Sequence, residues 1–271
     1  MSAEFSATLD AELPATLDAE FSVTSNAEFS AKLSQALHSA ELPLPLSEEQ
    51  LRQLQIYGEL LNEWQDKMNL TAITDPERIV LLHFVDSLEL APLIRTERER
   101  WRTADIPFSL ADVGTGAGFP GLVLQICEPV DRLLLIESVR KKTQFLRAVV
   151  ERLELPGVEI DARRAEEIGR DPACRARYTA VTARAVASLP VLCEYCLPLL
   201  REGGVFWAMK GRDPEIDSAH RALRELGGKI EACLPSTLSD GSQRHLVVIR
   251  KHRPTPARYP RRVGIPSKNP L

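Results

Sequence analysis

Apolar positions change their spacing twice along the chain, and the changes divide it into regions. From residue 3 to 34 an octapeptide recurs as AEFSATLD, AELPATLD, AEFSVTSN and AEFSAKLS, which puts Phe5, Leu9, Leu13, Leu17 and Phe21 four apart. A strict period of four drifts around a helix without holding one face, and Pro14 interrupts it. Residues 1–46 therefore read as a low-complexity, disordered tail that Pro43 and Pro45 close. Beyond it the spacing turns helical. Ser47 and Gln50 form a capping-box pattern, and Leu51, Leu54, Tyr57, Leu61 and Trp64 follow at intervals of three or four. Asn69-Leu70-Thr71 breaks the run, and Asp75 then caps a helix opened by Pro76 and carried by Ile79, Leu82, His83, Asp86 and Leu90. Residues 47–105 are predicted to be a small helical region.

From residue 106 short apolar runs alternate with helical ones. Strands are predicted over 108–113, 132–136, 158–162, 178–183, 205–209, 229–234 and 245–249; helices over 119–127, 139–153, 165–168, 189–200 and 214–226 separate the first six. Such alternation gives a mostly parallel sheet with helices on both faces. Asp240-Gly241, between the last two strands, is a hairpin signal, so the seventh strand is expected to be antiparallel. Residues 106–250 thus form an α/β domain with a seven-stranded, Rossmann-like sheet, and 251–271 form a basic, Pro-rich tail.

The chemistry concentrates at Leu110 to Gly121, where the first of these strands turns into the first helix. Gly114, Gly116 and Gly118 let main-chain N–H groups and a helix N-terminus close on a ligand of nucleotide type. Glu137 ends the second strand run, about 20 residues downstream, where a carboxylate takes both hydroxyls of a ribose. Glycines and a ribose acid suit NAD and S-adenosylmethionine alike. Asp112 stands two residues before the first glycine, where dinucleotide folds keep an apolar residue, and those folds lack the closing hairpin. Both features favour the methyl donor, and with it the class I S-adenosylmethionine-dependent methyltransferase fold.

Composition adds bounds. With 44% hydrophobic residues in 271 the chain has ample material for a packed core. No apolar stretch is long enough to span a bilayer and the start is acidic, so a cytoplasmic protein is expected. The five cysteines are scattered and odd in number, which suits reduced thiols. Cys193 and Cys196 form a C-x-x-C pair inside an apolar helical run without a ligand-spaced histidine, so core packing is expected and no metal. The net charge of −4 hides an asymmetry: residues 1–46 carry seven acids against Lys32, whereas eight cations and no acid follow from Arg244 onward. Five prolines keep that last stretch extended, so its arginines could follow a phosphate backbone.

Several stretches together resemble the bacterial RsmG (GidB) family of 16S ribosomal RNA guanine-N7 methyltransferases. They are Asn69-Leu70-Thr71, His83-Phe84-Val85-Asp86-Ser87-Leu88, DVGTGAGFPG from Asp112, Arg140-Lys141-Lys142 with Phe145-Leu146-Arg147, Arg184-Ala185-Val186-Ala187-Ser188-Leu189, Lys210-Gly211, Arg244-His245-Leu246-Val247-Val248-Ile249, and Thr255-Pro256-Ala257-Arg258-Tyr259-Pro260-Arg261-Arg262. They run in order from about residue 47 to the end.

The resemblance implies S-adenosyl-L-methionine at the carboxyl ends of the strands. It places Gly114 and Phe119 in that site, Glu137 at the ribose where many members carry Asp, Ala165 and Glu166 beside the adenine, and Arg184 at a further cofactor position. Asp112, Gly116 and Gly118 join them from the glycine loop. It implies 16S rRNA or the small ribosomal subunit as partner, with Arg140, Lys141, Lys142, Arg147, Lys210, Arg244, Arg258, Arg261 and Arg262 as candidate RNA contacts. Guanine N7 has a free lone pair and no proton, so the transfer is a direct displacement without a general base. Arg184, Lys210 and Asp86 are then positioning candidates. A small-molecule methyltransferase, a nicotinamide dehydrogenase and a noncatalytic RNA-binding assembly protein are the competing readings. The basic tail opposes the first, Asp112 and the hairpin the second, and the intact loop with its ribose acid the third.

Overall fold

The computed structural model describes residues 15–68 and 70–271; Asn69 and the first octapeptide with part of the second, including Pro14, lie outside them. Among the described residues five α-helices precede the sheet: α1 (Ala15–Ser39), α2 (Glu48–Met68), α3 (Pro76–Ile79), α4 (Asp86–Leu88) and α5 (Ala91–Arg102). Asp75 caps α3 through Oδ1, which accepts from the Arg78 N–H at 3.0 Å. A π-helical turn, Val80–Val85, joins α3 to α4 without a break. Such widened turns are rare and often sit at functional sites; this one carries His83.

The strands are β1 (Ser109–Val113), β2 (Arg132–Ile136), β3 (Val158–Asp161), β4 (Tyr178–Arg184), β5 (Leu200–Lys210), β6 (Gly228–Thr237) and β7 (Gln243–Lys251). The helices among them are α6 (Gly121–Cys127), α7 (Arg140–Arg152), α8 (Ala165–Ile168), α9 (Leu189–Cys196) and α10 (Ile216–Leu226), with α11 (Ile265–Lys268) near the end. The sheet order is β3-β2-β1-β4-β5-β7-β6. Pairing is parallel from β3 to β5, and β7 is antiparallel to both β5 and β6, as the hairpin signal predicts. The helix predicted over 189–200 stops at Cys196, because Leu200 instead pairs with Tyr178 and opens β5.

Strand side chains alternate between two cores, as a sheet covered on both faces requires. Leu110, Leu133, Leu135, Ala180, Val205 and Trp207 face the N-terminal helices with α6 and α7. Ala111, Val113, Leu134, Ile136, Val181, Phe206 and Ala208 face the side of α9 and α10. The order of the strands reverses between β1 and β4, so a crevice opens beyond their carboxyl ends, where open α/β sheets bind ligands.

Both terminal stretches meet the domain. Within residues 1–46, read as a disordered tail, helix α1 runs from Ala15 to Ser39. Its last turns need only a short apolar stripe, and Phe29, Leu33, Ala36 and Leu37 supply it, with Leu33 and Leu37 fully buried. Leu33 settles where Gly58 of α2 has no side chain; a Cβ there would come within 2.5 Å of Leu33 Cδ2. The drift that defeats a long seam is small over these turns. The C-terminal stretch, read as an extended arm, folds back on the domain. Tyr259 is buried, and Arg261 grips the Glu194 carboxylate of α9 at 2.6 Å.

Candidate active site

The loop after β1 is held from below by Asp112. One carboxylate oxygen, Oδ2, accepts from Thr115 Oγ1 at 2.6 Å and from the Gly121 N–H at 2.9 Å, tying together the two ends of the loop. Asp112 is wholly buried, and burial pushes its carboxyl up to about 6. Its second oxygen, Oδ1, has no partner among the described residues. Gly114 turns the chain with φ of +70°, and a Cβ there would meet Val186 at 2.5 Å. Glu137 closes the other side: Oε2 accepts from the Gly116 N–H at 3.1 Å and Oε1 from the Val139 N–H at 2.7 Å.

A cavity of about 480 Å3 opens above this loop. Gly114, Gly116, Glu137, Ala165 and Glu166 all line it, as does Lys142. Asp112, Gly118, Phe119 and Arg184 are not among its lining residues. Asp112 lies beneath the loop, Gly118 packs against Tyr57 and Leu122, and Phe119 stacks on the far side of it. Sequence reasoning missed the opposite wall, which the folded-back tail supplies as Val263, Gly264 and Ser267. The Gly264 N–H donates to Glu166 Oε1 at 3.0 Å, and Tyr195 Oη lies 2.8 Å from Ser267 Oγ. No local pattern announces these contacts, since each partner lies far away in the chain.

A second cavity, of about 330 Å3, lies beyond the ends of β4 and β5. His83, Asp86, Arg184, Lys210 and Arg244 line it, and Ala185 lines both cavities. Asp86, only 4% exposed, joins two arginines from distant strands. Arg184 Nη1 donates to Oδ2 at 2.7 Å, and Arg244 Nε donates to Oδ1 at 2.9 Å. Arg184 also donates to the Leu82 carbonyl at 2.9 Å and lies over the Phe119 ring, 5.3 Å from its centroid.

His83 completes the stack, 4.3 Å from Phe119 and 16° from parallel. Its Nδ1 lies 3.2 Å from both Arg184 Nη2 and the Leu82 carbonyl oxygen, and its Nε2 lies 3.0 Å from Thr71 Oγ1. Burial, with the charge of Arg184 added, pushes its pKa down to about 3. Lys210 Nζ reaches Glu215 Oε1 and the Ala187 carbonyl, both at 3.1 Å.

The remaining basic candidates divide. Arg140, Lys141 and Arg147 project from α7 into solvent, and Arg258 and Arg262 are also exposed. Arg261 is spent on Glu194, and Arg258 lies 3.6 Å from Glu225 and over the ring of Tyr259. Much of the terminal positive charge is therefore paired internally. Cys193 and Cys196 are buried free thiols, and among the described residues no cluster of His, Cys, Asp or Glu is placed to hold a metal. No described helix is long and apolar enough to cross a membrane.

Residues 50–247 match the family model GidB, described as rRNA small subunit methyltransferase G. Two similar proteins carry the name ribosomal RNA small subunit methyltransferase G. One, from Acetivibrio thermocellus, is 47% identical over 83% of this chain and 90% of its own length. The other, from Chloroflexus aggregans, is 49% identical over 84% and 93%. Among solved structures, the O-methyltransferase from Bacillus cereus in complex with SAH covers 82% of this chain and all of that one. Its TM-score is 0.50 and its identity 16%, a likeness of fold alone.

Proposed function

Because the chain belongs to the GidB family of rRNA small subunit methyltransferases G, we propose that it moves a methyl group from S-adenosylmethionine to N7 of one guanine in 16S rRNA. The small ribosomal subunit or its RNA is the partner, and the cytoplasm is where such a substrate is met. The observation that carries this reading is the meeting of two cavities at Ala185, one edged by a ribose-type carboxylate and the other by three cationic side chains.

The first cavity fits the donor. A Cβ on Gly116 would have only the Gly114 carbonyl oxygen near it, at 4.0 Å, so the loop backbone is open to a ligand there. Glu137, fixed by two main-chain N–H groups, keeps lone pairs for a ribose diol. Glu166 and Ala165 edge the adenine end, with Gly264 and Ser267 behind them. When bound, S-adenosylmethionine supplies an electrophilic methyl group on a sulfonium.

The second cavity suits a guanine taken out of its helix, since N7 lies on the groove edge that an RNA duplex hides. Arg184, Lys210 and Arg244 offer donors to the O6 beside N7 and to phosphate. N7 has no proton to lose, and the local groups agree with that: His83 is held between Arg184 and Thr71, while Asp86 is engaged by two guanidiniums. Their work is to hold the base in line with the donor, so alignment supplies the rate. Exposed Arg140, Lys141 and Arg147 on α7, with Arg258 and Arg262, extend a positive surface for the surrounding RNA.

The test is incubation of the purified protein and labelled S-adenosylmethionine with 16S rRNA, free and within small subunits. Label in the RNA of either form is expected. Label in neither, from protein that still binds the donor, contradicts the reading.

A further inference from the structure

A third cavity, of about 200 Å3, lies between α5 and the β6–β7 hairpin, and it shares Asp86, Met209, Lys210 and Arg244 with the second. We propose that it is a subsite for a nucleotide adjacent to the methylated guanine, in which Glu89 accepts a hydrogen bond from an exocyclic amino group of that neighbouring base. This rests on the RNA reading given above.

Continuity sets the kind of ligand. A strand that seats one base in the second cavity must cross the shared wall, and the wall presents the cations Arg244 and Lys210 to its backbone. Beyond the wall Leu93, Leu234 and Leu246 offer apolar surface for the face of a ring. Leu234 is 45% exposed, so its side chain stays open at the cavity mouth. The volume falls below the roughly 300–1,000 Å3 of pockets for drug-sized molecules and suits a single heterocycle. RNA recognised in single-stranded form presents its bases splayed apart in this manner.

Glu89 sets the specificity. It lies one turn beyond Asp86, half-buried at the cavity wall. Its pKa is raised by burial and then by the charge of Asp86, and no hydrogen bond to a described residue offsets these. A carboxylate so placed has acceptors and no donors, so it favours the N4 amine of cytosine over the O4 carbonyl of uracil. It also repels a phosphate, which directs the backbone to the cationic wall and the base to the cavity.

The experiment maps the methylated guanine and then sets each of its two neighbours in turn to cytidine and to uridine in 16S rRNA, used free and reconstituted into subunits. Methylation kcat/KM is measured for the wild type, for Glu89→Gln and for Leu93→Trp, whose indole fills the cavity. Calorimetric binding of S-adenosylmethionine, unchanged in both variants, shows that they are folded. At one neighbour the wild type is expected to prefer cytidine by about tenfold or more, the usual scale for one wrong base. Glu89→Gln, which can donate as well as accept, is expected to bring the preference within about threefold, and Leu93→Trp to lower kcat/KM for every RNA. Equal wild-type rates at both neighbours, or full preference retained by Glu89→Gln, overturn the subsite while leaving the methyltransferase reading intact. A wild type that labels no RNA overturns both.

Discussion

Asp86 and Arg184 meet at 2.7 Å although 98 residues separate them, and the carboxylate that receives Arg184 on one oxygen receives Arg244 on the other. The pair closes the junction between the helical region and the sheet at the wall of the second cavity. Its loss therefore affects both stability and rate. Breaking a buried pair leaves a charge without compensation and costs about 3–5 kcal/mol. Arg244 is partly exposed, so Asp86→Ala is expected at the lower end of that range in urea denaturation. Arg184→Lys keeps the charge but not the fork that spans Asp86 and the Leu82 carbonyl. It is expected to lower single-turnover methylation by tenfold or more, on the order of one bidentate contact, while donor affinity stays near wild type.

Glu137 is expected to govern donor affinity. Hydrogen bonds to a charged group contribute about 1.5–3 kcal/mol, so Glu137→Ala should weaken S-adenosylmethionine binding by about 10- to 150-fold in calorimetry. Glu137→Asp, the residue at this position in many members of the family that the chain resembles, should recover most of it. An unchanged affinity in Glu137→Ala would contradict the role given to this carboxylate.

Two buried groups give opposed pH dependences. His83, depressed to about 3, stays neutral when folded, so its contribution is complete above its unfolded value of 6.5 and is lost as pH falls towards 3. Asp112, raised to about 6, behaves conversely: its contribution is present below its ordinary value of 3.8 and is lost as pH rises through 6. Between about pH 4 and 6 the two slopes, each at most about 1.4 kcal/mol per pH unit, oppose one another. Asp112→Asn should therefore steepen the rise of stability with pH in that interval, and His83→Phe should reverse its sign relative to Asp112→Asn. Denaturation curves at half-unit steps check both.

The C-terminal segment lines the first cavity, the one proposed for the donor, so its removal should be read in binding before it is read in folding. Deletion from Val263 onward removes the Gly264 donor to Glu166 and the Ser267 partner of Tyr195. Loss of this part of the cavity wall is expected to weaken donor binding in calorimetry. Arg261→Ala acts differently, because it leaves the Glu194 carboxylate, whose side chain is 1% exposed, without its guanidinium and with only the main-chain N–H of residue 261. A loss of about 3–5 kcal/mol is expected there.

The parts of this arrangement that were legible in the sequence are those written locally. Strand alternation, the Asp240-Gly241 hairpin and the glycine loop each lie within a short window, and the sheet follows from them. Gly114, Gly116, Glu137, Ala165 and Glu166 come together because all lie in the loops after strands or at the start of the helix that follows one. What escaped depends on long-range packing. The drift of a four-residue period says nothing about whether Leu33 finds Gly58, and the prolines of the tail do not reveal that Glu194 waits for Arg261. Phe119 follows the glycine motif, yet its ring belongs to the stack with His83 and Arg184 because the loop turns it away from the donor cavity.

The most direct measurement is the position and atom of modification. Small subunits lacking the methyl group are incubated with the protein and S-adenosylmethionine, and their 16S rRNA is reduced with borohydride and cleaved with aniline, which breaks the chain at N7-methylguanine. The account predicts one new cleavage, at an unpaired guanine, that Arg184→Lys reduces in step with its rate. Methyl transfer to the RNA without any new cleavage would place the group on another atom and contradict a displacement at N7.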